Sequence, residues 1–254
     1  MINELTSDNS YRPKITYVLA LCCLMITAGT LMFANLDAYY GASDSGGVPF
    51  LVRLTVPFQH GFSAIPRIVH LAIILVLFSL IARPVEKVLG SMRFLLFTGV
   101  CWGLYVITHR VLEMQGHGFH PIIWSYSIIL WYILGEAKFI KTRSSFQENY
   151  RSLRIIIGLM WVVAPLMMMF IPLHFNNTAE TSLAESLWLG NVFHILAILL
   201  GFAGVLVFKK TIRSRMLSFA RKKNFKSSPV DKIVFYAAFL IPLFLLAIIY
   251  IKPT

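Results

Sequence analysis

The sequence predicts an all-α membrane protein, a polytopic helical bundle, and three observations lead there. Of its 254 residues 57% are hydrophobic and only 13% charged, where a soluble domain carries roughly 25% charged residues. Seven apolar runs recur along the chain, at 15–36, 68–82, 94–112, 121–135, 155–172, 187–208 and 233–251, and several approach the ~20 residues that a helix needs to cross hydrocarbon. The basic residues gather in alternate connections between those runs.

Taken in order, the first run is flanked by Arg12 and Lys14 and followed by small residues near Ala34 and Ala38, the layout of a signal peptide. Its apolar stretch exceeds the usual 7–15 residues of such a segment, so a retained helix is expected. The second and fourth runs are short, and the second is expected to end on the inner side at Ala82. The fourth opens as GFHPIIWSYS at 118–127. Pro121 suits the first helical position, where its missing N–H costs nothing, but the cap before it usually carries Ser, Thr, Asp or Asn. Here it is His120. In the sixth run His194, Ala197, Gly201 and Gly204 recur at helical spacing, a small-residue stripe that lets another helix approach closely. The fourth helix is the expected partner. The seventh run, about 233–251, adds a C-terminal transmembrane helix.

The chain reads as one transmembrane domain, 1–254, with no repeat of fixed period. Residues 1–11 form a polar tail. The connection 37–60 is polar in its middle and apolar at its end, so it is expected to dip into the headgroup layer. Residues 136–154 form an inner loop, 174–186 an outer one, and 209–231 join the sixth helix to the seventh. Asn176-Asn177-Thr178 is a glycosylation sequon on the outer side, of consequence only in a eukaryotic secretory membrane.

The formal net charge of +12 is distributed by side rather than by patch. Inner segments hold Arg83, Lys87, Arg93, Lys138, Lys141, Arg143, Arg151, Arg154 and the basic stretch 209–226, while outer segments hold only Arg53, Arg67, Arg110 and Lys252. That is the positive-inside pattern. It predicts a cytoplasmic N-terminus, an outer C-terminus and, with no organelle signal, the cytoplasmic (inner) membrane of a bacterium. The basic stretch is expected to lie against anionic lipid headgroups, and no nucleic-acid partner is expected. Cys22, Cys23 and Cys101 fall inside apolar runs without metal-ligand spacing and are expected to pack as small hydrophobes.

All seven histidines lie toward the outer side. Counting 1.5 Å per residue across a core about 30 Å thick places His120 about 8 Å, His194 about 10 Å and His70 about 12 Å below the outer boundary. Polar groups at such depth face one another or a wet cavity. A short helix that starts below the surface implies a hollow above it, since irregular backbone at membrane depth must be buried in protein or line water. The expectation is an outward-opening intramembrane cavity floored by the His120 end of the fourth helix, with His70, Ile74, His120, Pro121, Trp124, Ser125 and His194 around it.

At these residues the pattern resembles the rhomboid family of intramembrane serine proteases. HLAIILVLFSLIARPVEKVLGSMRF, from His70 to Phe94, resembles the family's second helix, with its Glu-x-x-x-Gly turn at Glu86 and Gly90 followed by Ser91, Arg93 and Phe94. GFHPIIWS lies over the family's Gly-x-Ser-Gly, and His194-x-x-Ala197-x-x-x-Gly201 over its His-x-x-Gly-x-x-x-Gly. The three blocks fall in the family's order within residues 60–208. The resemblance implies a rhomboid-like six-helix core, about 15–208, plus the seventh helix. It also gives structural roles to Glu86, Gly90, Arg93, Ala197 and Gly201.

The departures bear on function. Carried across, the base of the family's Ser–His dyad is His194, and the nucleophile's position is His120, which has no hydroxyl. The flexible Gly after it is Pro121. The Asn that helps hold the oxyanion is Ile74, which has no donor, and losing one such donor alone costs ~10²–10³ in rate. Serine protease activity is therefore not expected, and a rhomboid-like pseudoprotease that binds transmembrane clients or partner subunits, with no cofactor, is the first reading. A second is a metal-dependent membrane enzyme, with His70, His120 and His194 holding zinc or another transition metal and leaving a position open for water. The helix dipole would favour the neutral, metal-binding form of His120. A third is an active protease with a displaced nucleophile, Ser127 or Ser125, and His194 as base.

Overall fold

The computed structural model describes residues 13–32, 54–58, 64–111, 119–137, 154–159, 161 and 183–220. Helices α1 (Lys14–Met32), α2 (Ala64–Leu77), α3 (Arg83–Leu89), α4 (Ser91–Val111), α5 (His120–Ala137) and α6 (Leu183–Ala220) make up nearly all of them, with no strand among the described residues. The stretches Lys14–Met32, Ile68–Leu89, Ser91–Thr108 and Val192–Ser218 are each long and apolar enough to cross a membrane. The chain is an integral membrane protein. The fifth run is described only at 154–159 and Trp161, and the seventh lies outside the described residues.

The burial pattern is the one a hydrocarbon solvent selects. Outward faces carry Leu21 and Leu24 on α1, Ile73 and Val76 on α2, Leu96 and Val100 on α4, and Leu199, Phe202 and Leu206 on α6. Thr16, Thr27, Thr30, Glu86, Ser91, Thr98, Ser125, Ser127 and His194 turn inward. Helix α5 occupies the middle, with residues 121–130 all buried, and its most extensive contact is with α6. A Cβ on Gly201 would come within 2.6 Å of Ile128 Cβ and 2.8 Å of the Ser125 carbonyl oxygen. One on Gly204 would come within 2.7 Å of Phe97. Hydrogen at Gly201 lets the α6 backbone meet that of α5, and at Gly204 it leaves room for the Phe97 ring of α4.

The second helix does not end at Ala82. It widens into a π turn over Phe78–Ala82, in which the Arg83 amide donates to the Phe78 carbonyl, and then continues as α3. Pro84 lacks an amide proton and its ring would press on the preceding turn; one wider turn relieves this without breaking the helix. Arg83 and Lys87 are thus helical rather than in a loop, and Lys87 is buried. Counting from Leu89 instead of Ala82 moves His70 outward by seven residues, about 10 Å, so the common level expected for His70, His120 and His194 is lost.

A second difference concerns residues 209–231, expected as a connection: helix α6 runs on through Ala220. Its 38 residues span about 57 Å, well beyond a hydrocarbon core of about 30 Å. Lys, Arg, Met and Leu are good helix formers, and Ile212 and Met216, both buried, keep this extension docked on the bundle.

The joint at the opposite end of the hairpin is polar. Glu86 is fully buried and accepts four hydrogen bonds: Ile15 N (3.0 Å) and Ser91 Oγ (2.7 Å) on Oε1, Thr16 N (2.7 Å) and Thr16 Oγ1 (2.7 Å) on Oε2. The first amides of a helix have no partner within it, and here a carboxyl 70 residues away in sequence supplies one. Four residues on, Gly90 adopts φ 82° and ψ 152°, a conformation essentially confined to glycine. Its amide closes α3 on the Glu86 carbonyl and its carbonyl opens α4 through Phe94. The Arg215 guanidinium lies over it, 2.9 Å from where a Cβ would be.

Two outcomes follow for purified protein unfolded in detergent. Glu86→Ala strands the Ile15 and Thr16 amides and two hydroxyls, and is expected to destabilise by about 3 kcal/mol, with a buried unpaired donor worth roughly 1–3 kcal/mol. Gly201→Leu forces α5 and α6 apart and is expected to cost about 1–3 kcal/mol, whereas Gly103→Ala on α4, with open space around it, should leave the midpoint unchanged.

Candidate functional site

Helices α5 and α6 bring the central candidate residues onto facing surfaces. His194 is buried and meets the Trp124 ring edge to face, with centroids 4.9 Å apart and planes at 78°. One residue earlier, Phe193 packs on Tyr105 of α4 at 4.6 Å. Ala197 and Gly201, one and two turns on, continue the same contact along α5. Small residues on α6 thus set the distance at which the imidazole meets the indole.

The serines of α5 are turned elsewhere. Ser127 Oγ donates to the Trp124 carbonyl (2.7 Å) and accepts from Trp161 Nε1 (2.8 Å), so its proton and a lone pair are both in use. Ser125 is 1% exposed and lies beside the Cys101 thiol of α4. Neither serine is hydrogen-bonded to His194. Between them Tyr126 completes the polar centre of the bundle. Thr98 Oγ1 gives its one proton to the Phe94 carbonyl (2.7 Å), so the 2.6 Å bond between Thr98 and Tyr126 runs from the phenol to the threonine.

Among the described residues, aromatic side chains cluster at the start of α5, the place expected for an outward-opening cavity. Leu54 accepts from Trp102 Nε1 (3.0 Å), and Phe58 is fully buried with its ring edge-on to Trp102 at 5.2 Å. Phe58 also packs on Phe119 at 5.4 Å, and Phe119 on Phe78 at 5.1 Å. The apolar end of the 37–60 connection therefore enters the bundle itself rather than stopping at the headgroups. What opens beside α5 is a narrow cleft lined by Cys101, Tyr105, Pro121, Ser125, Phe193 and Ala197, among others, with a volume of about 10 Å³. That is room for about one water.

The other candidate residues are spread out. Ile74 is fully buried in the core, His70 is half-buried on α2 and Arg93 is exposed at the start of α4. Pro121 is buried at the first turn of α5, and the imidazole of His120 lies outside the described residues. Among the described residues no three His, Cys, Asp or Glu side chains are placed to hold a metal ion. The Ser127–Trp161 bond, the Tyr126–Thr98 bond and the aromatic plug went unread in the sequence. Each joins residues dozens of positions apart, and the only local sign was an unusual density of Trp, Tyr and Ser in 124–132.

Ser127→Ala is expected to leave the half-buried Trp161 indole N–H without its acceptor, lowering stability by about 1 kcal/mol with a shift in tryptophan emission. Ser127→Thr, which keeps an acceptor oxygen, should restore most of the loss.

Comparison with family models, curated proteins and solved structures gave no match.

Proposed function

We propose that this chain is a rhomboid-like pseudoprotease: a core of six helices with a seventh appended, which binds transmembrane clients or partner subunits and does not cleave them. In this reading it sits in a bacterial cytoplasmic membrane with its N-terminus inside. The positive-inside distribution of Arg and Lys supports that orientation.

The observation that carries the proposal is the partnering of His194. A base that activates a serine nucleophile lies within hydrogen-bond reach of the hydroxyl, about 2.6–3.2 Å and often somewhat longer without substrate. His194 instead packs on Trp124, while Ser127 is held by Trp161 and the Trp124 carbonyl, and Ser125 lines a cleft with Cys101, Phe193 and Ala197. The position matching the family's nucleophile is an imidazole, and the position matching its oxyanion donor, Ile74, is fully buried and apolar. The three resembling blocks and the Glu86–Gly90 joint supply the scaffold half of the reading. Binding in a bilayer needs apolar surface shaped for another helix and polar points that fix its orientation, and both are compatible with hydrolytic silence.

The test uses protein reconstituted in liposomes with a panel of labelled single-span helices. Saturable association without cleavage, together with no labelling by a serine-directed fluorophosphonate, is expected. Turnover lost in His194→Ala, or fluorophosphonate labelling lost in Ser125→Ala or Ser127→Ala, would overturn the silent half of the proposal. Failure of every helix to associate saturably would overturn the binding half.

A further inference from the structure

Arg83 is a cation placed inside a membrane-spanning stretch. It falls within Ile68–Leu89, seven residues and about 10 Å in from the Gly90 turn. Its side chain is half-buried, and its Nε is buried with no hydrogen-bond partner among the described residues. The nearest carboxyl along the chain, that of Glu86, is turned to α1 and Ser91 and already holds four donors. Lys87, buried one turn further on, adds positive charge rather than offsetting it. The backbone gives no other account, since the Arg83 amide is taken by the Phe78 carbonyl. An ionised side chain at such depth is costly and is kept where something pairs with it.

The surroundings fit a second helix. Ile73, Val76 and Leu80 make an exposed apolar face along α2 and the wide turn that follows it. Ser79, exposed four residues before Arg83, adds a hydroxyl at the same end. A helix laid on that face gains packing, and a carboxylate at its matching end would meet a guanidinium built for two parallel hydrogen bonds. A lipid phosphate is the competing partner, and the direction of the side chain weighs against it. The Cα–Cβ bonds of a helix tilt toward its N-terminus. Helix α3 ends at the Gly90 joint, so Arg83 sets out toward the middle of the bilayer and away from the nearer headgroups. The π turn just before it is a helix irregularity frequent at functional sites.

We propose that the outward face from Ile73 to Arg83 docks a transmembrane helix bearing an Asp or Glu in the third of its span nearest the Gly90 end, with the Arg83 guanidinium paired to that carboxylate. The inference rests on the client-binding reading and names the chemistry by which clients are chosen. Apolar contact along Ile73, Val76 and Leu80 accepts many helices, and the arginine selects among them.

The test reconstitutes the full-length protein in phosphatidylcholine liposomes and reads association with labelled leucine–alanine helices by energy transfer. One helix carries a single Glu about two turns from its end, and its control carries Gln there. Polar bonds between membrane helices are worth about three- to twenty-fold in association, so the Glu helix is expected to bind about tenfold more tightly. Arg83→Gln is expected to erase that preference while the Gln helix binds as before, which shows the variant to be folded. Arg83→Glu is expected to reverse it in favour of a helix with Lys at the same position. Equal and saturable binding of the Glu and Gln helices by the unaltered protein would overturn this proposal and leave the client-binding reading standing. No saturable binding of any helix would overturn both. A preference for Glu that survives in both variants would overturn the role of Arg83. So would helices bound alike together with enrichment of phosphatidylglycerol that Arg83→Gln abolishes, which would give the guanidinium to a lipid phosphate.

Discussion

The bundle depends on one carboxyl group that is out of water and fully occupied. Glu86 takes the first free amides of α1, the Thr16 hydroxyl and the Ser91 hydroxyl, tying the start of one membrane helix to the end of another and the beginning of a third. Helix packing in a bilayer gains little from the hydrophobic effect, because lipid tails are as apolar as leucine. Register between helices must then come from groups that have few alternatives. A carboxyl with four donors has almost none. Gly90 makes the joint sterically feasible, because the chain leaves α3 and enters α4 through one residue at φ 82°.

From this joint outward the structure sorts its residues by solvent. The helices with continuous apolar surface stand outside, and α5, carrying Trp124, Ser125, Tyr126 and Ser127, stands within. Placed against lipid, α5 would expose hydroxyls and indoles to hydrocarbon. Surrounded by α4, α6 and the aromatic plug of Phe58 and Phe119, it exchanges those losses for bonds to Thr98 and Trp161.

How much of this could be read in advance follows from the range of the forces. Helix α4 and most of α1 were legible because lipid imposes a long, local apolar run. The partner of the Gly201 stripe could be anticipated because small residues at helical spacing can only serve close approach. The continuation past Ala82 was hidden, because Pro84 signals a stop unless a π turn absorbs it, and no sequence pattern announces such a turn. The length of α6 was hidden by charge: Lys209 to Arg215 end an apolar run without ending a helix. The first of these had a consequence, since the shared depth of three histidines rested on helix two ending at Ala82. In the candidate site the pairing of His194 with Trp124 could not be read from the sequence, being set by the rotation of α6 about its own axis.

A hydroxyl in a membrane domain can brace or it can react, and the two uses compete for the same proton and lone pairs. A nucleophile needs its proton turned toward a base and an oxygen lone pair free to meet a carbonyl carbon. Ser127 has given its proton to the Trp124 carbonyl and taken the Trp161 indole on its oxygen. Releasing it would leave the half-buried Trp161 N–H without its acceptor, at a cost of about 1 kcal/mol, before any substrate arrived. Ser125 lies beside the Cys101 thiol and opens on a cleft lined by Phe193 and Ala197, whereas the imidazole is turned to Trp124. Gly201 and Gly204 hold α6 against Ile128 and Phe97, and so keep the imidazole on the Trp124 ring. The contacts that make α5 a sound central pillar are therefore the ones that keep its serines away from His194.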